Sequence, residues 1–203
     1  LPPASPQLRP VQGRVWALSR LADGSRTVQA TLDSVRADRN ERTALTRELV
    51  GHVHQAMKCK HGNFVIQKCI EILDPVELDF VFEELLGGSA HLVTQLSRHR
   101  YAFRSIRALL EKCPNEQTAP LQDVLTANCI TLSSQCFGSF VIQALFLSSN
   151  DERRCQLSST LLQHLESICD KNAGSCVLRS ALRYTPQPQS TELAEAIKNN
   201  PVA

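Results

Sequence analysis

Five triplets carry the side chains that could recognise a ligand: Ser25, Arg26 and Gln29; Asn63, Phe64 and Gln67; Phe103, Arg104 and Arg107; Ser139, Phe140 and Gln143; Ser175, Cys176 and Arg179. Members at i, i+1 and i+4 share one sector of a helix. A small or amide side chain, a flat one and a long hydrogen-bonding one recur together, a set that purely structural helices do not require. Phe64, Phe140 and the guanidiniums of Arg26 and Arg104 offer planes for base stacking. The amides of Gln29, Gln67 and Gln143 can both donate and accept at a base edge. Helices of adjacent repeats pack roughly 8–10 Å apart, so successive triplets can meet successive units of an extended polymer such as a single-stranded nucleic acid. A polar stripe opposite a core face could instead dock a peptide, which is the rival reading from another class. Bond-breaking chemistry has no support, because no glycine-rich phosphate loop, GxSxG elbow or HExxH helix occurs. Neither a cofactor nor a small-molecule substrate is expected.

The elements that must position these triplets follow from the repeat. The segments GSRTVQATL, GNFVIQKCI, AFRSIRALL, GSFVIQALF and GSCVLRSAL place the first triplet residues at 25, 63, 103, 139 and 175, which are 38, 40, 36 and 36 residues apart. Four of the eight glycines fall at one place in the period, and Pro75, Pro114, Asp151 and Pro186 recur 11 or 12 residues after the first triplet residue. Val65, Ile66, Cys69 and Ile70 mark one buried helix face, repeated by Val141, Ile142, Leu145 and Phe146. We call this the marker helix. A second helix such as Pro75–Leu86 follows, with Asp74 as N-cap and Gly87 and Gly88 as its close, and a shorter helix, Ala90–Ser97, leads to the next marker. Three helices per period, none able to bury its face alone, imply an all-α fold stacked as an α-solenoid. The pattern predicts a flexible proline-rich segment over 1–14 and one repeat domain over 15–203, with Glu192–Lys198 opening a sixth, partial unit.

Composition agrees with that class. At 203 residues, 42% hydrophobic and 21% charged, the chain can bury a core, and it has no apolar run long enough to span a bilayer. The first residue is leucine and no signal peptide is visible, so the sequence reads as an internal piece of a longer intracellular chain. Eight cysteines spread over such a chain are expected as reduced thiols, and His52, His54, Cys59 and His61 lack zinc-ligand spacing. Net charge is only +2, but Lys58, Lys60, His61 and Lys68, and Arg98, His99, Arg100, Arg104 and Arg107, lie beside the triplets. Glu77, Asp79, Glu83 and Glu84 fall on the intervening helix, which predicts segregation of sign between two faces.

HGNFVIQKCIE from His61 resembles the core motif of the pumilio-homology (PUF) repeat, and GSRTVQ, GSFVIQ and YAFRSIRALLE are recognisable relatives. The resemblance covers Val15 to about Tyr184, five units where the family typically has eight. It implies a right-handed, armadillo-like superhelix whose concave face binds single-stranded RNA, one base per repeat, with the protein antiparallel to the strand. Carried over, Ser25 with Gln29 would read adenine, Asn63 with Gln67 uracil, Ser139 with Gln143 adenine and Ser175 with Arg179 cytosine. Arg26, Phe64, Arg104, Phe140 and Cys176 take the stacking positions. The cytosine assignment has its own warrant, since arginine only donates and so suits the two acceptors on that base. Phe103 cannot bond a base edge and Arg107 could equally meet phosphate, so the third unit's base stays undefined. The resemblance further implies mRNA as the partner, regulatory proteins on the convex face, no membrane, and cytoplasmic post-transcriptional regulation. The alternatives are an armadillo-like protein scaffold and a nucleolar relative gripping structured RNA by its backbone.

Overall fold

The computed structural model describes residues 11–169 and 172–200, apart from the side chain of Ala90, and every element among them is helical. Each repeat is a short helix, a marker helix and a third helix. The first holds α1 (Val15–Ser19), α2 (Ala22–Ser34) and α3 (Arg39–Arg47). The second holds α4 (Val53–Lys58), α5 (Gly62–Ile72) and a 3-10 turn, Pro75–Leu78, running into α6 (Asp79–Leu86). Then come α7 (Ala90–Arg98), α8 (Phe103–Lys112) and α9 (Asn115–Ala127); α10 (Cys129–Ser133), α11 (Cys136–Ser148) and α12 (Asp151–Gln163); and α13 (Leu165–Cys169), α14 (Asn172–Tyr184) and α15 (Gln189–Lys198). Contacts divide the chain into two compact units, the first ending at Ser89 and the second beginning at Ala90.

In the first unit α2 packs on α5, each backed by its short helix, around Val28, Leu32, Leu45, Met57, Val65, Ile66, Ile70 and Leu85. In the second unit α11 lies between α8 and α14, around Ile106, Leu110, Val141, Ile142, Phe146 and Val177. Burying such a side chain contributes about 1.5–3 kcal/mol, so the i, i+1, i+4, i+5 pattern sets which way each marker helix faces.

The phased glycines hold helical backbone, and their purpose is close approach. A Cβ on Gly24 would stand 2.4 Å from the Leu18 carbonyl oxygen, and one on Gly138 would stand 2.6 Å from that of Leu132. Each lets the marker helix rest against the end of the short helix before it.

Polar contacts tie the third helices into the stack. The Glu48 carboxylate accepts from the N–H groups of Gly13 (2.6 Å) and Val15 (2.9 Å), capping α1, and Glu84 does the same for Gly51 and Val53 before α4. Arg42 on α3 donates to Glu77 (2.7 Å) and Asp74 (2.9 Å) of the next repeat, while Arg39 reaches Glu77 at 3.1 Å. Burial alone would push the Glu77 carboxyl up, but the Asp74 N–H and the two arginines outweigh it and hold the group below its usual range. In the second unit Arg153 on α12 makes the matching bond to Asp123 of α9 at 2.7 Å.

Two expectations change. Glu192–Lys198 belongs to α15, which packs on α12 and α14 as the third helix of the fifth repeat, so it opens no sixth. Of the expected flexible segment 1–14, residues 1–10 lie outside the described residues. The rest is packed, with Val11 buried and Gly13 bonded to Glu48.

Candidate nucleic-acid interface

The marker helices set out the triplets, but the three positions differ in depth. Second positions are open: Phe64 is 50% and Phe140 41% exposed, Arg26 and Arg104 are exposed, and Cys176 is half-buried. Both phenylalanines sit one residue before the apolar pair that pins the helix, so the core forces them outward.

First positions are not on an open stripe as expected. Ser25, Asn63 and Ser139 are buried, Asn63 completely. Each stands in the first turns of its helix and donates to a nearby backbone carbonyl. Asn63 Nδ2 donates to the carbonyls of Cys59 (2.9 Å) and Lys60 (2.8 Å). Ser139 Oγ donates to that of Cys136 (3.0 Å). Ser25 Oγ donates across to the His61 carbonyl of the next repeat at 2.9 Å. Ser175, on the last marker helix, is exposed.

These buried groups in turn orient the glutamines. Gln29 Nε2 donates to Ser25 Oγ (3.2 Å) and carbonyl (3.1 Å), Gln67 Nε2 to Asn63 Oδ1 (2.9 Å) and carbonyl (3.2 Å), and Gln143 Nε2 to the Ser139 carbonyl (3.2 Å). With both Nε2 protons used, Gln29 and Gln67 offer Oε1, which accepts from a base donor such as the adenine amino group or uracil N3–H, while Gln143 keeps one N–H beside its Oε1. Arg179 offers only donors, beside Ser175 in a cleft of about 280 Å³ lined also by Cys169, Leu178, Leu182 and Ile197.

The third repeat differs at its first and third positions. Phe103 is a core residue, 6% exposed, stacked on Phe137 at 5.2 Å and Phe140 at 5.6 Å. Arg107 Nη2 is bonded to Glu111 at 2.8 Å. Arg104 lies 5.0 Å over the Phe103 ring, and Arg100 lies 4.8 Å over that of Tyr101.

The expected segregation of charge is only partial. Lys68 is bonded to Glu71 (2.8 Å) and paired with Asp33 (3.2 Å), contacts that raise its pKa against desolvation, so it is no free phosphate contact. Glu77 faces arginines on its own side of the first unit. The aromatic partner Phe137 escaped the sequence reading, although an aromatic residue just ahead of the marker glycine was a visible signal. A flat stack of Trp16 on His52, 4.9 Å apart with Arg20 over the indole at 5.8 Å, also went unread.

Comparison with known proteins places this geometry. A model of the Pumilio-family RNA binding repeat matches residues 52–86, 93–126 and 128–161, together about half of the chain and all of the second, third and fourth marker helices. Pumilio homolog 9 of Arabidopsis thaliana is 23% identical over 175 residues, 86% of this chain and 30% of its own length. Putative pumilio homolog 13 of the same plant is 30% identical over 134 residues, 65% of this chain and 24% of its own. The crystal structure of PUF-8 in complex with PBE-RNA superposes with a TM-score of 0.84 at 20% identity, covering 93% of this chain and 54% of that one. The Puf3 RNA binding domain bound to a Cox17 RNA 3′ UTR recognition sequence gives 0.81 at 23% identity, covering 95% and 53%. The shared fold is an α-solenoid of helical repeats, and this chain spans about half the length of those structures and under a third of those curated relatives.

Proposed function

The chain belongs to the Pumilio family of RNA-binding repeat proteins, and we propose that it binds single-stranded RNA with base preference, as a recognition module and not a catalyst. The observation that carries this reading is the pairing, on successive marker helices, of an exposed plane with an outward hydrogen-bonding end: Phe64 with Gln67, Phe140 with Gln143, Arg26 with Gln29. A plane holds any base, and an amide oxygen held in one place accepts only where a base sets an N–H against it. A peptide-binding scaffold would need neither.

With the family's base pairings and antiparallel polarity, the second unit takes 5′-CAN-3′ and the first takes 5′-UA-3′, where N faces the third repeat. The element is 5′-CANUA-3′. Adenine and uracil opposite glutamine are separated by the buried first residue, which sets how that glutamine is held: a hydroxyl in Ser25, an amide oxygen in Asn63. The finer reading is that the target lies in the 3′ UTR of cytoplasmic mRNA and that binding regulates its translation. Support for it comes from the 3′ UTR recognition sequence to which the Puf3 domain is bound. In-vitro selection with the purified chain tests the proposal. Enrichment of 5′-CANUA-3′ supports it; enrichment of the reversed order, or of no element, refutes the polarity or the code.

A further inference from the structure

We propose that the third repeat reads no base and holds the strand by its backbone, with Arg100 and Arg104 taking a phosphate. This rests on the RNA-binding reading above and goes beyond it by giving one repeat a different ligand chemistry.

Of the two groups that would read an edge, Phe103 cannot and Arg107 is already engaged. Phe103, at the first position, is hydrocarbon and lies buried against Phe137 and Phe140. Arg107, at the third, is bonded to Glu111 on its own helix at 2.8 Å. Two exposed guanidiniums stand instead at the turn from α7 to α8. The Arg100 guanidinium lies 4.8 Å from the Tyr101 ring centre and that of Arg104 5.0 Å from the Phe103 ring centre, so each cation is seated on an aromatic face. Arg104 Nη1 donates to the Arg100 carbonyl at 3.2 Å, which keeps the two together. Among the described residues neither has an ion-pair partner, whereas Arg42, Lys68, Arg107, Arg153 and Arg154 all do. The positive end of the ten-residue α8 opens beside them. A planar fork of donors with no carboxylate partner suits a phosphate, which can accept from two N–H groups at once. In this arrangement Arg104 grips the backbone where the repeat pattern would have it stack a base.

The test uses four oligonucleotides carrying 5′-CANUA-3′ with each base at N, titrated over a salt series against the intact chain and the double variant Arg100→Gln, Arg104→Gln. Both sites are exposed, and circular dichroism confirms retained helix. The wild-type chain should bind all four within about three-fold. The variant should lose about ten-fold or more on each alike, and the slope of log K against log salt should fall by about 0.7 to 1.4, one or two phosphates on a single strand. A change in the ratios among the four bases, or an unchanged salt slope, overturns the proposal. Replacing uracil opposite the second repeat is the separate control. Loss of affinity there with an unchanged salt slope in the variant sinks only this inference, whereas indifference there sinks the RNA code itself.

Discussion

A phenylalanine in a triplet can be surface or core, and the two cases predict opposite outcomes. Phe64 is half exposed, so Phe64→Ala should weaken RNA binding by about 1–3 kcal/mol and leave the melting temperature within a degree or two. Phe103 is packed on two other rings, so Phe103→Ala should cost about 3–5 kcal/mol in urea unfolding. Equal melting of the two variants would show that the marker helix is rotated from the position described. A second residue-scale prediction concerns the fifth repeat, where Arg179 is exposed beside Ser175. Arg179→Gln supplies an acceptor and should shift the preferred base from cytosine toward adenine, read as a ratio of dissociation constants at one salt concentration. A parallel fall in both affinities would make Arg179 a phosphate contact. The second and third triplet positions were legible in the spacing because the apolar pair between them fixes their direction. The first was not, because a side chain in the first turn of a helix is also claimed by the carbonyls behind it, as with Asn63. Phe103 misled for the reason that periodicity gives a sector of the helix and not the packing partners, here Phe137 and Phe140, that cover it.

Helix boundaries were the most legible feature, since the prolines at 75 and 114 mark seams between elements and the phased glycines mark the first turn of each marker helix. The error over Glu192–Lys198 came from reading it as the start of a further unit, although these residues fall where α12 falls relative to its own marker helix. At this scale a marker glycine has a sign that can be measured. Gly→Ala inside a helix ordinarily stabilises by roughly 0.5–1 kcal/mol. At Gly138 the new Cβ would stand 2.6 Å from the Leu132 carbonyl oxygen, so Gly138→Ala should destabilise in urea titration by more than that gain, and a stabilised variant would refute the close approach. The tie between α3 and the 3-10 turn carries a pH dependence. The Glu77 carboxyl is held below its usual range in the fold, so its contribution is complete above the ordinary value of about 4.3 and is lost as pH falls through the lowered one. Glu77→Gln should therefore flatten the acid limb of a stability curve measured in urea between about pH 7 and pH 3. An unchanged limb would place the acid sensitivity elsewhere.

At the scale of the whole molecule, stability in a stacked array is set by how many neighbours each helix has. In the second unit α11 is covered on one side by α8 and on the other by α14, and Phe146 is fully buried. Leu182 holds the corresponding place 36 residues on, in α14, and is 37% exposed. The cleft it shares with Cys169, Ser175, Leu178, Arg179 and Ile197 lies against α14, the helix that packs on α11. The covered and uncovered versions of one face thus coexist in a single unit. Since full burial of a large apolar side chain is worth about 1.5–3 kcal/mol, amide protons of α14 should open at a free energy lower than those of α11 by about 1–2 kcal/mol. Native-state hydrogen exchange on the purified chain measures both helices in one experiment. Protection of α14 equal to that of α11 at every protein concentration would show that its exposed face costs nothing. Protection that falls only on dilution would mean that a second molecule covers the face in solution, and either result would refute the claim that neighbour number alone orders these helices.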